Sequence, residues 1–215
     1  MARHGKASAG ARGVLRFLRE SLEVLALTAA AALALKLFIV DAVRVPSASM
    51  EETIRTGDFL LVNKFVYGPR TPRYVPLWKG EIPSLHVAGP AVPRRGDVIV
   101  FYAPDAGRGR LYVKRVAGLP GDTLEIRGGA LIVGGRRMAP PPTARLQEGD
   151  PPDFGPVRVP EDSCFVLGDN LEESLDSRAW GFVPMESIVG RAMMVYWSIA
   201  PGGGIRWHRL FTMIR

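Results

Sequence analysis

The sequence predicts a mainly β protein that is held at a membrane by one N-terminal helix. Hydrophobic residues make up 47% of the 215 residues, which is enough to bury a core. The 24 glycines and 18 prolines favour many short strands and turns over long helices. Residues 22–40 read LEVLALTAAAALALKLFIV, an apolar run in which only Glu23 and Lys36 are charged. This run predicts the helix.

Residues 1–21, which precede the apolar run, form a basic segment. Its cations are Arg3, Lys6, Arg12, Arg16 and Arg19, and its one acid is Glu20. The net charge of +7 suits either nucleic acid or anionic lipid as a partner. No nucleic-acid-binding pattern is found in the sequence, so membrane lipid is the expected partner and nucleic acid is not.

The apolar run has three interpretations: a cleaved signal peptide, a buried core helix or a permanent anchor. At 1.5 Å per residue, 22–40 spans about 28 Å, close to the hydrocarbon thickness of a bilayer. A cleaved signal peptide would need its small-residue site at Ser47 to Ser49, behind Pro46, and the anchor is therefore favoured. Because basic residues stay inside, 1–21 is expected in the cytoplasm and 41–215 on the outer side.

The rest of the chain reads as short strands separated by loops. A strand rich in apolar residues is predicted within 57–65, and an irregular Pro-rich excursion follows at 68–95. The later strands are predicted within 94–104, 110–122, 123–129, 130–138, 163–169, 190–199 and 203–211. The loops are 105–109, 139–160 and 170–182. This pattern is a β domain with a small hairpin region inserted at 123–160.

Cysteine and histidine are scarce, which limits the kinds of site. Cys164 is the one cysteine, so an internal disulfide is excluded, and with three scattered histidines a zinc cluster of the usual spacing is also excluded. Cys164 lies in the strand-like run SCFVLGD and is expected to be a buried core residue.

The segment PSASM, which follows the apolar run, contains two candidate nucleophiles, Ser47 and Ser49. A serine nucleophile needs a base, and a lysine can act as that base if burial keeps its amine neutral. Lys64 and Lys114 lie in predicted strands, and Lys114 shares a strand face with Tyr112, which can shield it from water. A serine–histidine–aspartate triad is the alternative. It would have to use His4, His86 or His208, none of which lies in a recognisable motif.

Four motifs, taken together and in their order along the chain, resemble those of a known family. This resemblance decides between the serine–lysine pair and the triad. PSASM, RRGDVIVF, YVKRVAGLPGD and GDNLEESLDSRAWGFVP follow the apolar helix and extend from Pro46 to Pro184. Together they resemble the type I signal peptidases (leader peptidases) of bacteria. The resemblance implies a catalytic domain built on a coiled β-sheet, with a small inserted cap region at 123–160. It also implies a single-pass protein of the bacterial cytoplasmic (inner) membrane whose catalytic domain faces the periplasmic or extracellular side.

The resemblance also assigns roles to individual residues. Ser49 matches the nucleophile and Lys114 the general base, while Ser47 and the Ser49 backbone N–H match the oxyanion hole. Ser174 matches the serine that orients the lysine. The remaining matches are two bracing pairs (Arg115 with Asp169, Arg178 with Asp176), two residues of the substrate groove (Met50, Tyr112), and a turn that presents the Ser174 loop (Gly168, Asp169, Asn170).

Two stretches depart from the family pattern. Leu171, Glu172 and Glu173 stand where the family usually has Arg-Asp-Asn, and Glu51, Glu52 and Thr53 replace a common Pro-Thr. Acidic side chains near the lysine would raise its pKa unless they point away. Neither change removes a catalytic atom.

The sequence therefore predicts a membrane-bound serine endopeptidase. It would remove signal peptides from exported preproteins after an A-x-A pattern, through an acyl-enzyme on a Ser49/Lys114 dyad, without metal or organic cofactor. The alternatives are a processing peptidase of the same family with one dedicated substrate, an inactive membrane-anchored binding module, and a secreted protein whose own cleavage site is the Ser47 region.

Overall fold

A computed structural model describes residues 5–51, 53–68, 87, 89–104, 109–139 and 153–215, with side chains from residue 13 onward. Several features of the sequence interpretation lie outside these residues. They are His4, Glu52, His86, most of the excursion 68–95, residues 105–108 of the predicted hairpin loop and residues 140–152 of the predicted surface loop.

Helix α1, Gly5–Phe38, contains the apolar run. Its part from Gly13 to Phe38 has a mean hydropathy of 1.8 and is long and apolar enough to cross a membrane. The apolar stretch within this part of the helix is not buried against the rest of the protein. The helix ends two residues before the end of the predicted span, and after Ile39 the chain enters the first strand at Val40. The anchor and the sheet are thus joined almost directly.

Twelve strands are described. Their bounds are β1 Val40–Arg44, β2 Asp58–Asn63, β3 Val98–Tyr102, β4 Leu111–Gly118, β5 Thr123–Arg127, β6 Ala130–Val133, β7 Arg136–Arg137, β8 Phe154–Arg158, β9 Ser163–Leu167, β10 Val183–Pro184, β11 Ile188–Ser198 and β12 Thr212–Met213. A four-residue helix, α2 Ser177–Trp180, precedes β10. The predicted mainly β fold class with one N-terminal helix is confirmed.

The strands form two antiparallel sheets. The larger has the order β1-β2-β11-β3-β4-β9-β10, with β12 paired to β11, and the smaller has the order β7-β6-β5-β8. The smaller sheet is the predicted inserted region. It has two strands more than expected, because the predicted strand 130–138 is divided into β6 and β7 and because β8 lies inside the predicted loop 139–160. The β8 strand is only half-buried and contains Gly155 and Pro156, so its sequence lacks the alternation that marks a strand.

Strand β11 gives the larger sheet its curl. Its register shifts between Ile188 and Gly190 against β3, and twice more against β2. Each shift is an extra residue that bends the strand and increases its twist. Side chains of β1, β2, β3 and β11 fill one core together with Met50 and Ile54. The smaller sheet packs through Leu124 and Ile126 on the Phe165 side of β9.

The predicted strand 203–211 is wrong. Ile205 forms an isolated bridge with Ile199, the 3₁₀ helix Trp207–Arg209 follows, and pairing resumes only at β12. The physical reason is a buried carboxylate. Asp58 accepts hydrogen bonds from Arg209 and, more weakly, from Arg206, and this draws both arginines to one point.

Asp58 links the C-terminal segment to β2. We therefore expect the loss of its partner Arg209 to lower the stability of the protein. Arg209 Nη2 donates to it at 2.6 Å and the Ser198 hydroxyl at 2.6 Å. Burial raises the pKa of Asp58, but these donors and the Arg55 backbone N–H outweigh burial and hold the pKa below its usual 3.8. Arg209→Met leaves the charge poorly compensated, so it is expected to cost about 3 kcal/mol.

Thermal unfolding in detergent checks this prediction. A loss of that size lowers Tm by roughly 6–12 °C. Arg136→Met, on the exposed strand β7, is the matched control and should be neutral. The contribution of the Asp58 carboxylate to stability is present above pH 3.8 and disappears as the carboxylate is protonated below that pH. The difference in Tm between wild type and Arg209→Met should therefore become smaller in acid. If Arg209→Met lowers Tm no more than Arg136→Met does, the proposed role of the Asp58–Arg209 pair in stability is wrong.

Candidate active site

Ser49 lies in the tight segment that links β1 to β2. Glu51 N donates to Ala48 O at 2.9 Å, and Ile54 N donates to Met50 O at 2.8 Å, so the segment is folded into successive turns. Met50 is 1% exposed and packs in the core, which fixes the segment from below. Ser49 itself is buried.

Lys114 reaches Ser49 from β4, 65 positions further along the chain. Its Nζ donates to Ser49 Oγ at 2.5 Å, and the lysine side chain is 4% exposed. Tyr112, two residues earlier on the same strand face, places its ring 6.0 Å from Nζ, as the strand period predicts. A hydroxyl and an amine are thus in contact away from water.

Burial lowers the pKa of Lys114 to about 8 from the usual 10.5. Asp176 opposes this effect and raises the pKa, Arg178 lowers it, and Asp169 raises it. Glu172 and Glu173, the acidic substitutions in the family pattern, are both exposed. A substantial neutral fraction of Lys114 therefore exists near neutral pH.

Ser47 lies at the edge of the same site. Its Oγ is 3.4 Å from Ser49 Oγ, and its side chain is exposed to the groove described below. The hydroxyl therefore adjoins the space that a substrate carbonyl at Ser49 would occupy.

Ser174 is close to Ser49, but its expected hydrogen bond to Lys114 is not formed. Its Oγ is buried without a hydrogen-bond partner among the residues that the structure describes. It lies over the Cα of Gly168 and beside the Ser49 carbonyl, where a Cβ on Gly168 would overlap both groups. Gly168 is therefore required for this close approach.

Both expected bracing pairs are present. Arg115 donates to Asp169 through Nε at 2.8 Å and Nη2 at 2.7 Å. Since Lys114 and Arg115 are adjacent in β4, they point to opposite faces, and this pair supports the site from behind. Thr53 also donates to Asp169, at 2.5 Å, and joins the pair to the nucleophile segment.

The second pair shapes the loop that contains Ser174. Asp176 accepts two hydrogen bonds from the Arg178 guanidinium, at 2.8 and 3.0 Å, and one from the Gly168 backbone N–H at 3.1 Å. Arg178 also donates to Leu171 O at 2.7 Å. The loop from 168 to 178 is closed on itself beside the nucleophile.

Asn170 binds the Ser49 segment directly, and the sequence interpretation missed this contact. Its backbone N–H donates to Ser49 O at 3.1 Å, and its side-chain amide donates to Ala48 O at 3.4 Å. The sequence suggested only a turn at 168–170. An amide side chain next to the Gly-Asp turn was the one available signal.

A groove of about 480 Å³ opens over Ser49 and Lys114. One wall is the end of β1 with the nucleophile segment, and the other is the start of β4. The lining residues are Arg44, Val45, Pro46, Ser47, Ser49, Met50, Arg110, Leu111, Tyr112, Val113, Lys114, Glu173 and Leu175. Tyr112 is half-buried in the wall, whereas Met50 lies beneath the floor as a core residue.

The other sequence candidates are placed elsewhere. Lys64 is buried, but its Nζ donates to Lys36 O at 3.4 Å at the end of α1 and lies 3.9 Å from Asp41. His208 is exposed on the C-terminal 3₁₀ helix. Cys164 is a buried core residue, as predicted, and burial raises the pKa of its thiol to about 12.

Comparisons with known proteins agree on one family. The family model described as "Signal peptidase, peptidase S26" matches residues 18–197. Signal peptidase I of Leptolyngbya laminosa is 34% identical over 190 residues, covering 85% of this chain and 81% of that protein. A probable signal peptidase I-1 of Synechocystis is 32% identical over 212 residues, covering 93% and 91%. A crystal structure of a signal peptidase I from Enterococcus faecalis has 32% identity and a TM-score of 0.41, and covers 47% of this chain and 97% of that one.

Proposed function

The chain belongs to the signal peptidase family, peptidase S26, and on that basis we propose that it removes signal peptides from exported preproteins with Ser49 as nucleophile and Lys114 as general base. One observation carries the assignment of the two residues. It is the buried hydrogen bond of 2.5 Å between Lys114 Nζ and Ser49 Oγ. A lysine buried in this way is partly neutral and can accept the proton of the serine.

The chemistry proceeds in two steps. Neutral Lys114 takes the Ser49 proton as Oγ attacks the carbonyl carbon of the scissile peptide bond. The resulting ammonium then protonates the leaving amine, which leaves a Ser49 ester. In the second step Lys114 takes a proton from water, the resulting hydroxide attacks the ester, and the proton returns to Ser49 as the signal peptide leaves.

The oxyanion of each tetrahedral intermediate needs hydrogen-bond donors. We assign this role to the Ser49 backbone N–H and the Ser47 hydroxyl, whose Oγ is 3.4 Å from Ser49 Oγ. One such donor contributes about 3–4 kcal/mol to the barrier reduction.

Ser174 is assigned as a positioning residue for Lys114. Its buried Oγ has no partner among the described residues, and it lies beside the Ser49 carbonyl. Once Ser49 is acylated, Lys114 needs another partner to hold its amine, and the Ser174 hydroxyl is close enough to the site to supply one. Arg115, Asp169, Asp176 and Arg178 keep this arrangement rigid through the two bracing pairs.

A substrate can bind the groove as an added strand. Within the described part of the chain, β1 pairs only with β2, and β9 pairs with β4 from Arg115 onward. The edges of β1 and of 111–114 therefore both face the groove with unpaired backbone groups. An extended signal peptide would pair with both edges, and the small residues of an A-x-A site would fit the shallow space over Ser49.

The protein is membrane-anchored, and we propose a single α1 crossing with 1–21 in the cytoplasm and 41–215, including the inserted region 123–160, on the outer side. Arg16 and Arg19, which lie in α1 just before the apolar run, support this orientation. Since only Ile39 separates α1 from β1, the groove lies near the lipid surface, where signal peptides leave the bilayer.

The pH dependence of the reaction follows from Lys114. Only the neutral amine accepts a proton, so kcat/KM is expected to rise with pH through about 8 and to level off above it. Cleavage rates of a soluble A-x-A peptide, measured across this range in detergent, check the prediction. A profile that is flat across pH 6–10, with the protein still folded, would contradict a lysine base.

Cleavage of a full preprotein tests the function itself. The full-length protein in detergent should cut a synthetic preprotein after the small residue of its A-x-A site, and mass spectrometry should identify that bond. Ser49→Ala should lower the rate by about 10³-fold or more. Wild-type protein that is folded yet inert on several preproteins would refute a general signal peptidase and favour one dedicated substrate or a binding role.

A further inference from the structure

We propose that Arg44 and Arg110 make this groove select signal peptides with an acidic residue about four or five positions before the scissile bond. The inference rests on the proposed function, because it names the substrate class of the same site. It concerns the charge of the groove wall, which the catalytic chemistry does not use.

The groove wall carries more positive than negative charge. Its charged lining residues are Arg44, Arg110, Lys114 and Glu173, and Lys114 must be neutral to act as base. Two permanent cations therefore face one exposed acid. Arg44 is held in place, since its guanidinium carbon lies 5.8 Å from the centre of the Phe59 ring.

Both arginines lie on the same side of the catalytic pair. Tyr112 and Lys114 share one face of β4, and Arg110, one residue before the strand, lines the same groove. At about 3.3 Å per residue, Arg110 is about 13 Å from Lys114 along the strand. Arg44 ends β1 and precedes Pro46 and Ser49 in the opposite wall. An extended substrate with its scissile bond at Ser49 brings its fourth or fifth residue to this pair.

The connection to the membrane indicates which part of the substrate lies there. Strand β1 begins at Val40, one residue after α1, and ends at Arg44, so the arginine end of the groove is on the α1 side of Ser49. A signal peptide also approaches from the bilayer. Its residues before the scissile bond therefore lie at this end, and the mature protein extends away from it.

The expected selectivity is moderate. Exposed ion pairs are weak individually, but exchanging aspartate for lysine replaces two attractions by two repulsions, so about a tenfold difference in kcat/KM is expected. The effect should fall at high salt because the pairs are solvent-exposed. It should appear mainly in KM, since the arginines do not contact the reacting atoms.

A matched peptide series tests the inference. Three soluble A-x-A peptides carry aspartate, asparagine or lysine at the fourth and fifth positions before the scissile bond, and the full-length protein cleaves them in non-ionic detergent at low and high salt. Wild type should prefer aspartate over asparagine over lysine. Arg44→Glu combined with Arg110→Glu should reverse this order, and Arg136→Glu, which changes an exposed arginine of β7, should keep it.

The outcomes separate the two proposals. Equal kcat/KM on the three peptides, or an aspartate preference that persists in the double variant, overturns the inference and leaves the signal peptidase function standing. Failure of the wild type to cut any of the three peptides overturns the function and the inference together.

Discussion

Replacing Lys114 by methionine is expected to abolish cleavage while the protein stays folded. The change removes the amine that contacts Ser49 Oγ, which we propose as the general base, and keeps a long, apolar side chain. Loss of a general base in such a pair lowers kcat by about 10³-fold or more. Cleavage of an A-x-A preprotein by the full-length variant in detergent measures this loss.

Stability distinguishes this result from simple misfolding. Because burial lowers the pKa of Lys114 to about 8, the folded state disfavours its charge at neutral pH, and the methionine variant should melt no lower than wild type. Lys64→Met is the matched control, since it removes a buried lysine that contacts the end of α1 and should keep cleavage of a soluble peptide. A Lys114→Met protein with more than a tenth of wild-type kcat would rule out the proposed base.

Gly168→Ala is expected to have the second largest effect on activity. A Cβ at this position would overlap the carbonyl oxygen of Ser49 and the side chain of Ser174. Either the nucleophile segment or the loop from 168 to 178 must then shift. A displacement of about 1 Å at a reacting group costs about 10²-fold in rate, and the overpacking costs about 1–3 kcal/mol of stability.

Kinetics and unfolding of Gly168→Ala are to be measured together. Gly202→Ala is the control, because a Cβ there meets nothing within 4 Å and should change neither quantity. The decisive comparison is at a temperature where both variants are folded. Wild-type kcat in Gly168→Ala at that temperature would show that the close approach of Gly168 to Ser49 has no catalytic importance.

Local patterns predicted the parts of the fold that local forces determine. The apolar run gave α1, and alternation or apolar runs gave β2, β3, β4 and β9 close to their observed bounds. Two of the failures were set by contacts distant in sequence. The segment 203–211 contains the 3₁₀ helix Trp207–Arg209 where Asp58 binds Arg209, and β8 forms by pairing with β5 despite an unfavourable sequence.

The candidate site was harder to predict from the residues alone than the fold was. Nothing local shows that Lys114 lies against Ser49, because β3 and the nucleophile segment must first position β4. The residues left a serine–lysine pair and a histidine triad both open, and only the resemblance chose between them. Asn170 was predicted only as a turn residue, because its contact with Ser49 is made by a backbone N–H, which no side-chain pattern records.

In the proposed topology, the junction at Ile39 also fixes the distance between Ser49 and the lipid surface. With the anchor joined to β1 through one residue and Lys64 linking the end of α1 to β2, the height of Ser49 above the lipid is set by the protein's own architecture. With the proposed topology, we expect that only signal peptides whose stretch between hydrophobic segment and small residue matches that height reach Ser49. The anchor would then contribute to specificity through length, alongside the side chains of the groove.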